Sequence, residues 1–175
     1  MAKPSSRTLL LLRHAKAVPA EAGGEDRERP LAPRGHEDAR AAGKHIADRG
    51  YKPDVILCSP SKRTAETLEH LLPFLGAVQS MRYEEALYLA DKAQLLAHVH
   101  KLEAKADCAL LIGHNPGMEE LALTLAEPEG NEFKRMTEKF PTAALCVLEF
   151  KTVTWRDVRP GEGHLREFAR PKDLD

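Results

Sequence analysis

Short, wholly apolar runs alternate along the chain with longer segments whose apolar positions recur every three or four residues. Leu9-Leu10-Leu11-Leu12 is the clearest of the short runs, with Asp54–Cys58 and Cys108–Ile112 as its counterparts. Runs of this length without polar alternation predict strands buried on both faces, as in a parallel sheet. The pattern places the first strand at Thr8–Arg13, a short one at Val78–Tyr83, a further one at Ala143–Phe150 and a short edge strand at Leu165–Phe168.

Between these runs the period lengthens to that of a helix. His36–Arg49 carries Ala39, Ala42, Gly43 and Ile46 on one face, small enough to lie close to a sheet, and Gly50 is a natural stop. Ser61 can cap a helix reaching about Leu72, with Ala65, Leu68 and Leu72 inward. Lys92–Lys105 has Leu95, Leu96, Val99 and Leu102 at helical spacing. Asn115 as cap with Pro116 in the first turn starts a helix to about Ala126, and Phe133–Phe140 reads as a short helix. Ala15–Arg29 is a Gly-, Pro- and acid-rich loop, long enough to be functional. Strands alternating with helices imply an α/β fold: one three-layer domain over residues 1–175, its mostly parallel sheet flanked by helices on both faces.

Composition narrows the function classes. A formal net charge of −1 over 175 residues gives no global attraction to nucleic acid or an anionic membrane. Cys58, Cys108 and Cys146, odd in number and set in or beside apolar runs, read as reduced thiols of a cytoplasmic protein. Lys3, Arg7 and the leucines imitate a leader peptide, but Arg13 and His14 cut the apolar run short, and no segment approaches a membrane span.

The chemistry gathers at the ends of three predicted strands. Parallel strands share one carboxyl edge, where open α/β sheets bind ligands. That edge carries Arg13-His14, Ser59-Pro60-Ser61-Lys62-Arg63 and Gly113-His114-Asn115. Two arginines, two histidines and two helix starts, without a cysteine or carboxylate cage for a metal, suit a phosphoryl group. Any one of these residues alone would ordinarily be a solvated charge or a turn residue. His36, His45, His70, His98, His100 and His164 lack the strand-end setting and are read as ordinary.

Leu12-Arg13-His14-Ala15, Arg29-Pro30-Leu31 with Gly35, Ser59-Pro60, Arg63 with Thr67, Gly113-His114-Asn115-Pro116 and Thr142 together resemble the histidine phosphatase superfamily, over most of the chain. The small SixA-like phosphohistidine phosphatases are the most similar branch. Ala15 departs from the commoner Arg-His-Gly signature.

The resemblance implies a phosphoglycerate mutase-like fold and a phosphatase needing no cofactor or metal. His14 would be a transiently phosphorylated nucleophile, Arg13 and Arg63 a phosphate clamp, and His114 a donor to a phosphate oxygen. It also implies a general acid near Tyr83–Tyr88, with Glu85 the first candidate and Glu84 the next; the residues alone do not choose between these and neither.

An imidazole leaves far more easily than an alkoxide, so a site without a firm acid still suits phosphohistidine. No long insertion roofs the site, and an open cleft fits a phosphorylated protein as partner. Two other readings stand beside this one. The first is a small-molecule phosphatase or mutase, for which Lys16, Arg27, Arg29 and Lys62 are spare cations. The second is a non-catalytic phosphate-binding module, against which an intact His14 argues.

Overall fold

A computed structural model describes residues 5–175; Lys3 of the leader-like N-terminus lies outside them. Six strands form one sheet: β1 (Arg7–Arg13), β2 (Val55–Cys58), β3 (Ser80–Tyr83), β4 (Cys108–Gly113), β5 (Leu145–Phe150) and β6 (His164–Ala169). Their order is β3-β2-β4-β1-β5-β6. The first four run parallel, while β5 pairs antiparallel with β1 and β6 antiparallel with β5. The expectation of a mostly parallel sheet holds, with the antiparallel part confined to one side.

Among the described residues five α-helices cover it: α1 (Pro33–Asp48), α2 (Lys62–Leu75), α3 (Lys92–His100), α4 (Gly117–Leu125) and α5 (Gly130–Glu138). The leucines of β1 show why helices lie on both faces. Leu10 and Leu12 pack with Ala39, Ala42 and Ile46 of α1 and Leu68 and Leu71 of α2. Leu9 and Leu11 face the other way, into a core with Leu95 of α3, Met118 and Leu121 of α4, and Met136 of α5. All four leucines are fully buried, each contributing roughly 2 kcal/mol of transfer free energy. Side chains alternate across a strand, so an unbroken apolar run is what a sheet covered on both faces requires.

Several boundaries shift for physical reasons. The first helix starts at Pro33 rather than His36, because proline tolerates the first turn, where its missing N–H is not needed. Its Gly43 meets α2 rather than the sheet; a Cβ there would lie 3.1 Å from the Leu71 Cα. The buried apolar residues of α2 are Leu68, Leu71 and Leu75, so Leu72 and Ala65 are only half-buried at its margin. The Lys92–Lys105 helix ends at His100, and Leu102 reaches the core from the following turn. α4 begins at Gly117, after a cis Asn115–Pro116 bond, yet the Asn115 side chain still accepts from the Glu119 N–H at 3.1 Å. The last predicted helix lies three residues earlier at its start, at Gly130.

Register brings the turns into line. Arg13 pairs with Gly113 across β1 and β4, and Cys58 with Ile112 across β2 and β4. The next residues, His14, Ser59 and His114, therefore emerge side by side. The His14 N–H donates to the Gly113 carbonyl at 3.0 Å and that of Ser59 to the Ile112 carbonyl at 3.1 Å, extending the ladder into the turns. No helix among the described residues is long and apolar enough to cross a membrane.

Candidate active site

His14 sits just beyond the end of β1 and is 7% exposed. Its Nδ1–H donates to the Ala15 carbonyl at 2.8 Å, which leaves the Nε2 lone pair free. Ala15 is itself buried in the core and adopts no left-handed conformation, so alanine is accommodated where the related signature has glycine. Its N–H donates to Thr67 Oγ1 at 3.0 Å, and that hydroxyl donates to the Arg63 carbonyl at 2.7 Å. Thr67 thus ties the His14-Ala15 turn to the first turn of α2, which gives the Arg63/Thr67 spacing its physical meaning. Gly35 serves the same packing: a Cβ there would lie 2.0 Å from the Lys16 carbonyl oxygen, two residues beyond His14.

The four strand-end residues predicted to converge do so. The His14 and His114 rings are 5.3 Å apart between centroids, tilted by 56°. Arg63 Nη2 donates to His114 Nδ1 at 3.3 Å, and His114 Nε2–H donates to the Ser59 hydroxyl at 2.7 Å. Arg13 Nη1 donates to the Phe140 carbonyl at 3.0 Å, anchoring its guanidinium beside the pair. The Nε groups of Arg13 and Arg63 are buried without a partner, and an anionic ligand would satisfy such donors.

Burial first, then the positive charges of Arg63, Arg13 and Arg29, push the His14 imidazole down to about 4, against the opposing pull of the Ala15 carbonyl. Burial, the neighbouring His14 and Arg63 bring His114 down to about 3. Both rings are neutral at physiological pH, the form a nitrogen nucleophile needs. Between pH 6.5 and about 4 the unfolded chain binds a proton at His14 that the folded chain does not. Stability is therefore present in full above this window and falls as pH drops through it, by about 3 kcal/mol from His14. Urea unfolding across that range checks the expectation: the loss should shrink by about that amount in His14→Asn. An equal loss in both proteins would refute it.

Glu85 is not brought into the cluster. Its carboxylate is 74% exposed and held by Arg27, whose Nη1 and Nη2 donate to it at 2.8 and 3.0 Å. That pairing lowers its pKa, so it is no stored proton either. Glu84 lies 3.5 Å from Arg82. The carboxylate that does arrive belongs to Asp26, from the loop between β1 and α1. Arg63 Nη1 donates to the Asp26 carbonyl at 2.8 Å, and Arg63 Nη2 to Asp26 Oδ2 at 3.0 Å. The Tyr88 hydroxyl donates to the same oxygen, and Arg29 Nε to Oδ1 at 3.0 Å.

Tyr88 stands edge-on to His114 at 5.4 Å, with the Arg27 guanidinium 5.0 Å above its ring. Sequence reasoning misses Asp26 and Tyr88. The acid-rich loop and the Tyr83–Tyr88 segment both stand out along the chain, but nothing in their composition says that they close on each other over Arg63.

Two neutral histidines and two arginines gathered at the carboxyl edge of a mostly parallel sheet suit the binding of a phosphoryl group. The comparisons agree. Residues 9–88 match the family model described as histidine phosphatase superfamily (branch 1). An uncharacterised protein of Mycobacterium tuberculosis is 34% identical over 164 residues, covering 92% of this chain and all of the relative. A structure of a candidate phosphohistidine phosphatase SixA from Nakamurella multipartitia superposes with a TM-score of 0.83 at 28% identity, covering 95% of this chain and 96% of that one. A second such structure, from Agrobacterium tumefaciens, gives 0.79 at 27% identity, over 97% of this chain and all of the other. The chain belongs to the histidine phosphatase superfamily, in its SixA-like branch, and is a phosphatase with the phosphoglycerate mutase-like fold.

Proposed function

We propose that this phosphatase removes the phosphoryl group from phosphohistidine on a protein partner, through a phospho-His14 intermediate. The carrying observation is a neutral His14 with a free Nε2, facing a cluster in which no carboxyl group keeps a proton. Asp26 is held at about 2, first by the Tyr88 hydroxyl and then by Arg63 and Arg29, and Glu85 is tied to Arg27. Arg13 and Arg63 clamp the phosphoryl oxygens, and His114 reaches one of them by exchanging the Nε2–H bond it makes to Ser59. Water then hydrolyses phospho-His14.

A phosphoester leaving as alkoxide needs a proton in the transition state, which this cluster does not supply; an imidazole leaving group asks much less. The SixA names of the similar structures support the same reading. The mutase alternative loses ground, because two of its spare cations are already paired: Arg27 with Glu85 and Arg29 with Asp26. Three unpaired cysteines support a cytoplasmic setting.

The test is a hydrolysis panel. A phosphohistidine-bearing protein should be turned over at least ~100-fold more efficiently than sugar phosphates, the factor a missing general acid costs an ester. Rapid turnover of a sugar phosphate with none of phosphohistidine would overturn the assignment.

A further inference from the structure

Every bond Asp26 makes keeps it charged and aims it at the mouth of the site. Oδ2 accepts from Arg63 and Tyr88, and Oδ1 from Arg29. Oδ2 thus has two partners, whereas Oδ1 faces the Arg29 guanidinium alone, at 3.0 Å from both Nε and Nη2, and is the oxygen open to a further donor. The Asp26 side chain is 42% exposed, while that of Arg63 beneath it is 3% exposed. A phosphoryl group seated on Arg63 therefore lies one guanidinium away from this carboxylate. In-line displacement puts the leaving group on the far side of phosphorus from His14 Nε2. With His14 buried at the floor, the far side is the solvent side, where Asp26 and Tyr88 stand.

We propose that Asp26 is a specificity residue that accepts the distal ring N–H of the substrate phosphohistidine and holds the still-phosphorylated ring as its imidazolium. The assignment rests on the phosphohistidine reading above. As the bond from His14 Nε2 to phosphorus forms, the substrate P–N bond breaks and its electron pair stays on the departing nitrogen. The proton on the distal nitrogen stays where it is. The ring departs as neutral imidazole rather than as an imidazolide anion, so no proton transfer is needed.

The same carboxylate gives nothing to an ester. Held deprotonated, it has no proton for a departing alkoxide, and its charge repels a carboxylate or second phosphate at the far end of a metabolite. Three arginines, Arg13, Arg29 and Arg63, offset its repulsion toward the phosphoryl oxygens. The titratable and charged groups facing it are Arg29 of its own loop, Arg63 of α2, Tyr88 from the segment after β3, and His114 after β4. His114, neutral at working pH, does not compete for the bond.

The experiment compares the full chain with Asp26→Asn on two probes, N-phosphoimidazole and p-nitrophenyl phosphate, whose leaving group needs no proton. The ratio of kcat/KM for the first probe over the second should fall ~10-fold or more in Asp26→Asn, whatever factor both rates share. The basic limb of the N-phosphoimidazole profile should also move down by about one pH unit, because the carboxylate no longer favours the imidazolium. Asp26→Glu should recover part of the ratio. An unchanged ratio with both rates reduced alike would make Asp26 a mere support for Arg63 and overturn the proposal. A wild-type chain that hydrolyses p-nitrophenyl phosphate but not N-phosphoimidazole would instead overturn the phosphohistidine reading, and this assignment with it.

Discussion

His14→Ala is expected to lower kcat/KM on every phosphoryl substrate by at least ~10⁴-fold, since the loss of a covalent nucleophile leaves only binding and electrostatics. The ring is oriented by one bond, from Nδ1–H to the Ala15 carbonyl, and by the wall of arginines around it. No other side chain in the cluster offers an uncommitted nucleophilic nitrogen: His114 has Arg63 on Nδ1 and Ser59 on Nε2. The variant should still fold, because the four leucines that hold β1 in the sheet are untouched. Two measurements go together: steady-state rates, and mass spectrometry of rapidly quenched protein. Wild type should carry a phosphoryl adduct on His14 and the variant none. Full activity in His14→Ala would end the covalent mechanism.

Arg63→Ala should cost about 10²–10³-fold in kcat/KM, divided between a higher KM and a lower kcat, as expected when a charge clamp serves ground state and transition state alike. Arg63→Lys should recover little, because an ammonium has no planar fork. The guanidinium also joins two parts of the protein, donating to the Asp26 carbonyl and carboxylate on one side and to His114 on the other. Its removal should therefore free the 15–29 loop, made visible as faster proteolysis across the exposed residues 19–25. The acid limb of the rate profile should rise as well, since Arg63 is among the charges that depress His14 and His114. A variant with unchanged inhibition by inorganic phosphate would show that Arg63 does not hold the phosphoryl group.

The strand ends are legible in the sequence because a covered sheet constrains its strands so tightly. A short run with no polar position fits a strand buried on both faces, and a polar pair at its tip marks the carboxyl edge. Arg13, His14, Arg63 and His114 meet where that argument puts them. What the chain order conceals lies in the loops. Asp26 and Tyr88 are 62 residues apart, and their hydrogen bond follows from the path of the loop after β1, which no periodicity encodes. Glu85 is the natural carboxylate by its place in the chain, but Arg27 from that same loop takes it. Helix ends shift where local chemistry outweighs spacing, as at Pro33, or where apolar positions continue past the helix, as at Leu102.

The pairing of Arg13 with Gly113 has one further consequence. The two histidines are successive register mates, and the 5.3 Å between their rings is close to the ~4.8 Å spacing of neighbouring strands. Backbone ladders thus act as the ruler for the gap between the two rings, and side-chain packing has little say in it. A substitution that loosens the core yet leaves the ladders intact should weaken the protein without detuning that gap.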